Sequence, residues 1–115
     1  MEMKTISLPK LNRLTPTLES TALKLMEEAG ELAQAIGKFR GMSGENVHLT
    51  EKEIIKVIMQ ELLDVAQTAV SMMFVLEEFY GADIEESLEK HLEKLCRKGY
   101  LDATMNCIKE GFNSL

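Results

Sequence analysis

The chain has no tryptophan, two prolines, two cysteines and two histidines in 115 residues. Each scarcity excludes something. With two prolines and seven glycines, few positions can interrupt a long helix. Cys96 and Cys107 have no C-x-x-C spacing. That excludes the usual zinc and dithiol patterns and suits thiols in a reducing cytoplasm. Positive charge is short as well, with 13 Lys and Arg against 19 Asp and Glu, a net charge of −6. A nucleic-acid binder relying on a basic face is thereby disfavoured. No long apolar run exists. The longest uncharged stretch, Val65 to Leu76, is too short for a membrane span and contains Gln67, Thr68 and Ser71. The opening MEMKTISLPKLNR lacks the apolar centre of a signal peptide. The expectation is a soluble cytoplasmic protein that binds neither membrane nor nucleic acid.

What is abundant is a helix-forming palette: eight Met and many Leu, Ala, Glu and Lys. Residues 1–14 read as irregular, with Pro9 and no clear period. Thr15-Pro16 gives a helix start, with Thr as N-cap and Pro at the first helical position. That helix is expected to reach about Phe39, before the polar, Gly-containing loop from Gly41 to Leu49. Thr50 with Glu53 opens a second helix by a capping-box signature. It should run to about Tyr80, where Gly81 stops it. Asp83 with Glu86 opens a third, ending near Lys98 before Gly99, and Asp102 is placed to cap a short fourth to about Glu110. No strand-like alternation is present. The fold class is all-α: one domain over residues 1–115, with two long helices and one or two shorter ones.

The second helix is apolar nearly all round, including Ile54, Val57, Ile58, Val65, Met72 and Leu76. Such a helix needs cover on several sides, and a chain this short has few layers to give it. The expectation is a helical bundle completed by oligomerisation, as a homodimer or homotetramer.

Two acidic turns interrupt these helices. Glu27, Glu28 and Glu31 lie in the run EEAGE, and Glu61 and Asp64 in the run ELLD. Residues three apart share a helix face one turn apart. At 100° per residue, Glu61 falls in the apolar row Ile54, Ile58, Val65, Ala69, Met72 and Leu76. A carboxylate there is costly unless paired or metal-bound. Asp64 falls on the flank of that row. Glu28 borders the first helix's stripe of Leu18, Ala22, Leu25, Ala29, Leu32, Ala33 and Ile36; Glu27 and Glu31 read equally well as solvated residues. Brought together, the two turns would set several like charges around one small volume. A hard divalent cation makes sense of that arrangement. His48 sits in the loop and His91 has Leu88 three residues before it, so the Glu-x-x-His turns of di-iron bundles are missing. An all-carboxylate set suits Mg²⁺ or Mn²⁺, and Mg²⁺ points to phosphate chemistry.

The runs KLMEEAGELAQAI and QELLDVAQTAV, with ADIEESLEKHLEKLCRKGY after them, resemble the MazG-like all-α nucleoside triphosphate pyrophosphohydrolases. The signature E-E-x-x-E is matched by Glu27, Glu28 and Glu31, and E-x-x-D by Glu61 and Asp64. The resemblance covers roughly residues 14–100. It implies hydrolysis of a nucleoside triphosphate to the monophosphate and pyrophosphate, Mg²⁺ on Glu28, Glu31, Glu61 and Asp64, and a dimeric or tetrameric bundle. The all-α dUTPases and phosphoribosyl-ATP pyrophosphohydrolases are similar in motif, and no residue selects either. For the acid that orients the attacking water, both Glu27 and Glu31 are candidates. Lys94 and Lys98, with Tyr100 beyond them, are candidate substrate contacts; cations at a helix C-terminus are also favourable for their own sake. Lys24, one turn before Glu28, reads as a salt-bridge partner for that acid. Two other readings compete: a non-catalytic helical interaction module, and a different carboxylate-metal enzyme such as a phosphodiesterase.

Overall fold

A computed structural model describes residues 1–41 and 49–102. It contains three helices and, among the described residues, no strand: α1 (Leu18–Phe39), α2 (Glu51–Tyr80) and α3 (Ile84–Arg97). The all-α class read from the sequence is the class observed. The proposed fourth helix after Asp102 lies outside the described residues, as does most of the loop from Gly41 to Leu49. The chain divides into two compact units, Leu8–Tyr80 and a second formed by Met1–Ser7 with the residues from Gly81 onward.

In the first unit, the start of α1 differs from the expectation. The N-cap is Thr17, not Thr15, and Pro16 lies outside the helix. Ser20 decides this. Its backbone N–H donates to Thr17 Oγ1 at 3.0 Å, and its hydroxyl accepts from the Thr17 N–H at 2.8 Å. Two helix-end donors are satisfied reciprocally, which a start at Thr15 would not achieve. Thr17→Ala is therefore expected to lower stability by about 1 kcal/mol, read by urea denaturation followed by circular dichroism; an unchanged midpoint would count against the cap. The C-terminus of α1 is closed by Arg40, whose N–H donates to the Ile36 carbonyl, and then Gly41 at φ +69°. Only a residue without a Cβ takes that left-handed turn at no cost.

α2 begins as expected, with the Glu53 N–H donating to Thr50 Oγ1 at 3.2 Å. Its 30 residues make it about 45 Å long. Gly81, at φ +67°, follows its last residue.

α1 and α2 pack along most of their lengths and run in opposite directions: Glu28 meets Glu61, and Thr21 lines a cavity with Ser71. The buried residues of α1 are Thr21, Glu28 and Ala35, spaced by seven. On α2, buried Ile54, Thr68 and Val75 and half-buried Glu61 follow the same spacing. A seven-residue repeat is the seam of two helices packed at a shallow angle. Glu28 and Glu61 thus occupy seam positions that apolar residues would normally fill.

This corrects the stripe read for α1. The row from Leu18 to Ile36 is only half-buried or exposed, and the seam lies one step round the helix. Small polar residues hold it because their hydroxyls are satisfied within their own helices. Thr21 Oγ1 donates to the Thr17 carbonyl at 2.8 Å, and Thr68 Oγ1 to the Asp64 carbonyl at 2.9 Å. The bulkier side chains are left outside: Leu23 and Met26 are 73% and 75% exposed, and Ile55, Met59 and Leu62 are exposed on α2.

The segment before α1 crosses α2. Gln67 Nε2 donates to the Pro9 carbonyl at 2.9 Å, and Lys10 Nζ pairs with Glu78 Oε2 at 2.8 Å.

In the second unit, Asp83 caps α3 as expected, accepting from the Glu86 N–H at 3.0 Å. Lys98 is the C-cap, and Gly99 follows at φ +77°. Leu92 is buried, and His91 is exposed. Among the described residues, no helix is long and apolar enough to cross a membrane.

Candidate metal centre

The seam brings together one carboxylate oxygen each from Glu28, Glu31 and Glu61, all within 4.8 Å of one another. Opposite ligands of an octahedral Mg²⁺ stand about 4.2 Å apart, given bonds of about 2.1 Å. The observed upper bound is somewhat wider, so the three carboxylates stand near the spacing of a hard cation and would have to draw together slightly to hold Mg²⁺.

The three acids differ in setting. Glu28 is 6% exposed, Glu61 half-buried and Glu31 exposed. Glu28 Oε1 takes an ion pair from Lys24 Nζ at 2.9 Å. Glu28 Oε2 and Glu61 Oε2 are buried and have no hydrogen-bond partner. Two such oxygens in one small volume are unfavourable twice over, through lost hydration and through mutual repulsion. A cation would relieve both penalties, so the residues present fit a divalent metal.

The repulsion registers on Glu31. Its carboxyl is held above the ordinary glutamate value, first by the charge of Glu28, then by partial loss of hydration, then by Glu61. Once protonated, it can donate to Glu28, which adds to the effect.

Lys24 is the resident cation. Besides Glu28 it approaches Glu27 Oε1 at 3.7 Å, and these two acids raise its own pKa, the hydrogen bond to Glu28 contributing most. The partner read for Glu28 from helical spacing is thus the one observed. Lys24→Met should leave the three acids with less positive charge nearby. We expect it to bind Mg²⁺ more tightly than the parent and to melt lower in EDTA, measured by calorimetric titration and thermal unfolding. Weaker Mg²⁺ binding would show that Lys24 orients Glu28 for the metal instead of competing with it.

Of the other residues singled out in the sequence, Glu27 is exposed and lies outside the three-acid group. Asp64 is also outside it. Its side chain is short, exposed and on the flank of the seam. It nevertheless lines, with Glu28, Lys24, Gln67 and Thr68, a cavity of about 500 Å³. Lys94, Lys98 and Tyr100 are exposed and belong to the second unit.

The family model described as MazG nucleotide pyrophosphohydrolase domain matches residues 16–99. This span contains both acidic turns and all three helices. A curated relative, the uncharacterized protein YvdC of Bacillus subtilis (strain 168), is 33% identical over 79 residues, covering 64% of this chain and 68% of the relative. No solved structure matches.

Proposed function

We infer the reaction from one premise: the chain belongs to the MazG nucleotide pyrophosphohydrolase family. Membership supports a hydrolase acting on a nucleotide. More finely, we propose a Mg²⁺-dependent enzyme that hydrolyses nucleoside or deoxynucleoside triphosphates between the α and β phosphates. Mn²⁺ is the natural substitute, given an all-carboxylate donor set. The observation that carries the reading is the pair of buried, unpartnered oxygens on Glu28 and Glu61 beside Glu31.

Glu28, Glu31 and Glu61 would hold the cation, with Asp64 on the wall of a cavity that Glu28 also lines. When bound, the cation supplies positive charge against the triphosphate oxygens and the departing pyrophosphate. The protein's own share is proton handling and positioning. A water attacks the α phosphorus, the bond to the bridging oxygen breaks, and pyrophosphate leaves. The water's proton goes to a carboxylate oxygen of Glu31. That group is the better placed of the two candidates, because it belongs to the three-acid cluster and is exposed to solvent. Glu27 instead sits against Lys24. Lys94, Lys98 and Tyr100 remain proposed contacts for the phosphate tail and sugar. A homodimer or homotetramer would cover the exposed apolar residues of α1 and α2. Cysteines without C-x-x-C spacing suit the cytoplasm as its compartment.

The test is pyrophosphate release from a panel of canonical and modified nucleoside triphosphates, with Mg²⁺ and with EDTA. Release that requires the metal supports the reading. Orthophosphate as the sole product would move it to another carboxylate-metal chemistry.

A further inference from the structure

Both prolines of the chain, Pro9 and Pro16, lie in the stretch 8–16, which crosses α2 before Thr17 caps α1. Proline has no N–H and a fixed φ, and it keeps the residue before it extended. The stretch therefore stays out of helix and runs as a stiff strap. At one end it is fixed by the reciprocal cap between Thr17 and Ser20. Towards the other it is held by two side chains of α2. Gln67 Nε2 donates to the Pro9 carbonyl at 2.9 Å, and Glu78 pairs with Lys10 at 2.8 Å.

The strap walls the cavity of about 500 Å³ that Glu28 and Asp64 line, and it supplies Leu11, Leu14, Thr15 and Pro16 to that wall. Leucine and proline side chains give a hydrated ion no hydrogen bond, so a wall of them keeps charged solutes out while it stays in place. It is also easily moved. Leu11 and Leu14 are 36% and 64% exposed as they stand, so little apolar burial is lost when they swing out. The ion pair that helps to hold them is itself exposed, at 55% and 48% for its two side chains. Such a pair is weak in water and weaker in salt. The second tie, Gln67, lies one turn beyond Asp64 on α2 and lines the same cavity, so the strap is fastened to the wall opposite its own leucines.

We propose that residues 8–16 form a strap that gates this cavity, closed by the ties of Lys10 to Glu78 and of Gln67 to Pro9, and opened when those ties are lost. The inference rests on the hydrolase reading only for the solute admitted, a nucleoside triphosphate. A site that is competent only with the strap open binds more weakly in proportion to the open fraction. Loosening the strap therefore tightens binding, and fastening it weakens binding. Lys10 and Glu78 are exposed and stand outside the seam, so both can be replaced without loss of fold.

The gate is read first without turnover. Thr68 lines the cavity and its hydroxyl bonds the Asp64 carbonyl of its own helix, so Thr68→Cys leaves both ties of the strap in place. In the full chain carrying that change, alkylation of the new thiol by iodoacetamide is followed on its tryptic peptide, which holds neither Cys96 nor Cys107. The reagent is neutral, so charge changes do not bias its approach. Lys10→Ala with Glu78→Ala removes the pair at constant net charge. It should speed alkylation about two- to fivefold, the fold-change to which one exposed ion pair corresponds. The swap Lys10→Glu with Glu78→Lys should return the slow rate. Salt at about 0.5 M should speed alkylation with the parent strap and leave the double-alanine protein unchanged. In turnover, with Thr68 intact, the double-alanine protein should show a KM for nucleoside triphosphates lower by the same factor at unchanged kcat, and the swap should match the parent. Equal alkylation with all three straps overturns the gate, and triphosphate turnover then leaves the hydrolase reading standing without it. Faster alkylation with an unchanged or higher KM also overturns it, since the strap then covers the cavity without controlling entry. Faster alkylation in a protein that hydrolyses no triphosphate keeps the gate and discards the hydrolase.

Discussion

Glu61→Gln is expected to lose metal-dependent pyrophosphate release by more than about a hundredfold, since even outer-sphere partners of a bound metal typically cost ten- to a hundredfold. The same variant should be at least as stable as the parent in EDTA. These effects have one origin. Glu61 sits at a seam position of α2, between Ile54 and Thr68 in the seven-residue row, where packing favours an apolar side chain. Its Oε2 is buried without a partner, and one of its carboxylate oxygens lies within 4.8 Å of oxygens of Glu28 and Glu31. Glutamine keeps the volume and removes the charge, so repulsion among the three acids falls. Replacing a buried charge in this way commonly leaves stability unchanged or raises it, here by roughly 1 kcal/mol. Activity is assayed as pyrophosphate release, and stability by thermal unfolding without metal. A purely structural Glu61 would behave the other way, losing stability and activity together. A non-catalytic interaction module would show neither loss.

Much of this arrangement was legible in the sequence because it depends on local rules. Thr50, Asp83, Gly81 and Gly99 mark element ends through hydrogen bonds and backbone angles within a few residues, and each sits where its residue type implies. The exception is instructive. Thr15 and Thr17 both precede the first helix, and Pro16 favours the earlier start. Ser20 overrides it, because serine at the third helical position completes the reciprocal cap that glutamate usually completes. The pairing of the acidic turns was legible too, through the expense of placing Glu61 in an apolar row. What was not legible is the rotation of the seam. Hydrophobicity ranks Leu25 and Leu32 above Thr21, yet Thr21 is buried and the leucines are only partly so. A hydroxyl that bonds its own helix backbone behaves as a small, satisfied side chain, and a count of apolar residues cannot register that. The path of the segment before α1 escaped for a different reason. It folds back over α2 through Gln67 to Pro9 and Lys10 to Glu78, and contacts across nearly sixty residues or more leave no local pattern.

Saturating Mg²⁺ should raise the melting temperature, and more at neutral pH than near pH 4. At a hundred times the dissociation constant, binding to the folded state alone adds about 2.7 kcal/mol, roughly 10 °C or more for a domain of this size. The pH dependence follows from Glu31. Its folded-state pKa lies above the ordinary glutamate value of 4.5, held there chiefly by Glu28. In the metal-free protein the folded state therefore keeps a proton that the unfolded chain releases. Stability contributed by that proton is fully present below the unfolded value and is lost as pH rises through the folded one. A bound cation reverses the sign of the local field, lowers the Glu31 pKa and expels the proton, so Mg²⁺ binds more weakly as pH falls through this window. Other carboxylates titrate over the same range, so the measurement is a difference. In EDTA, the parent should match Glu31→Gln near pH 4 and melt below it near pH 7, while in the parent Mg²⁺ closes the gap. A parent that melts above Glu31→Gln at pH 7 in EDTA would mean that Glu31 is stabilised in its charged form. The three acids would then not repel one another strongly enough to call for a cation.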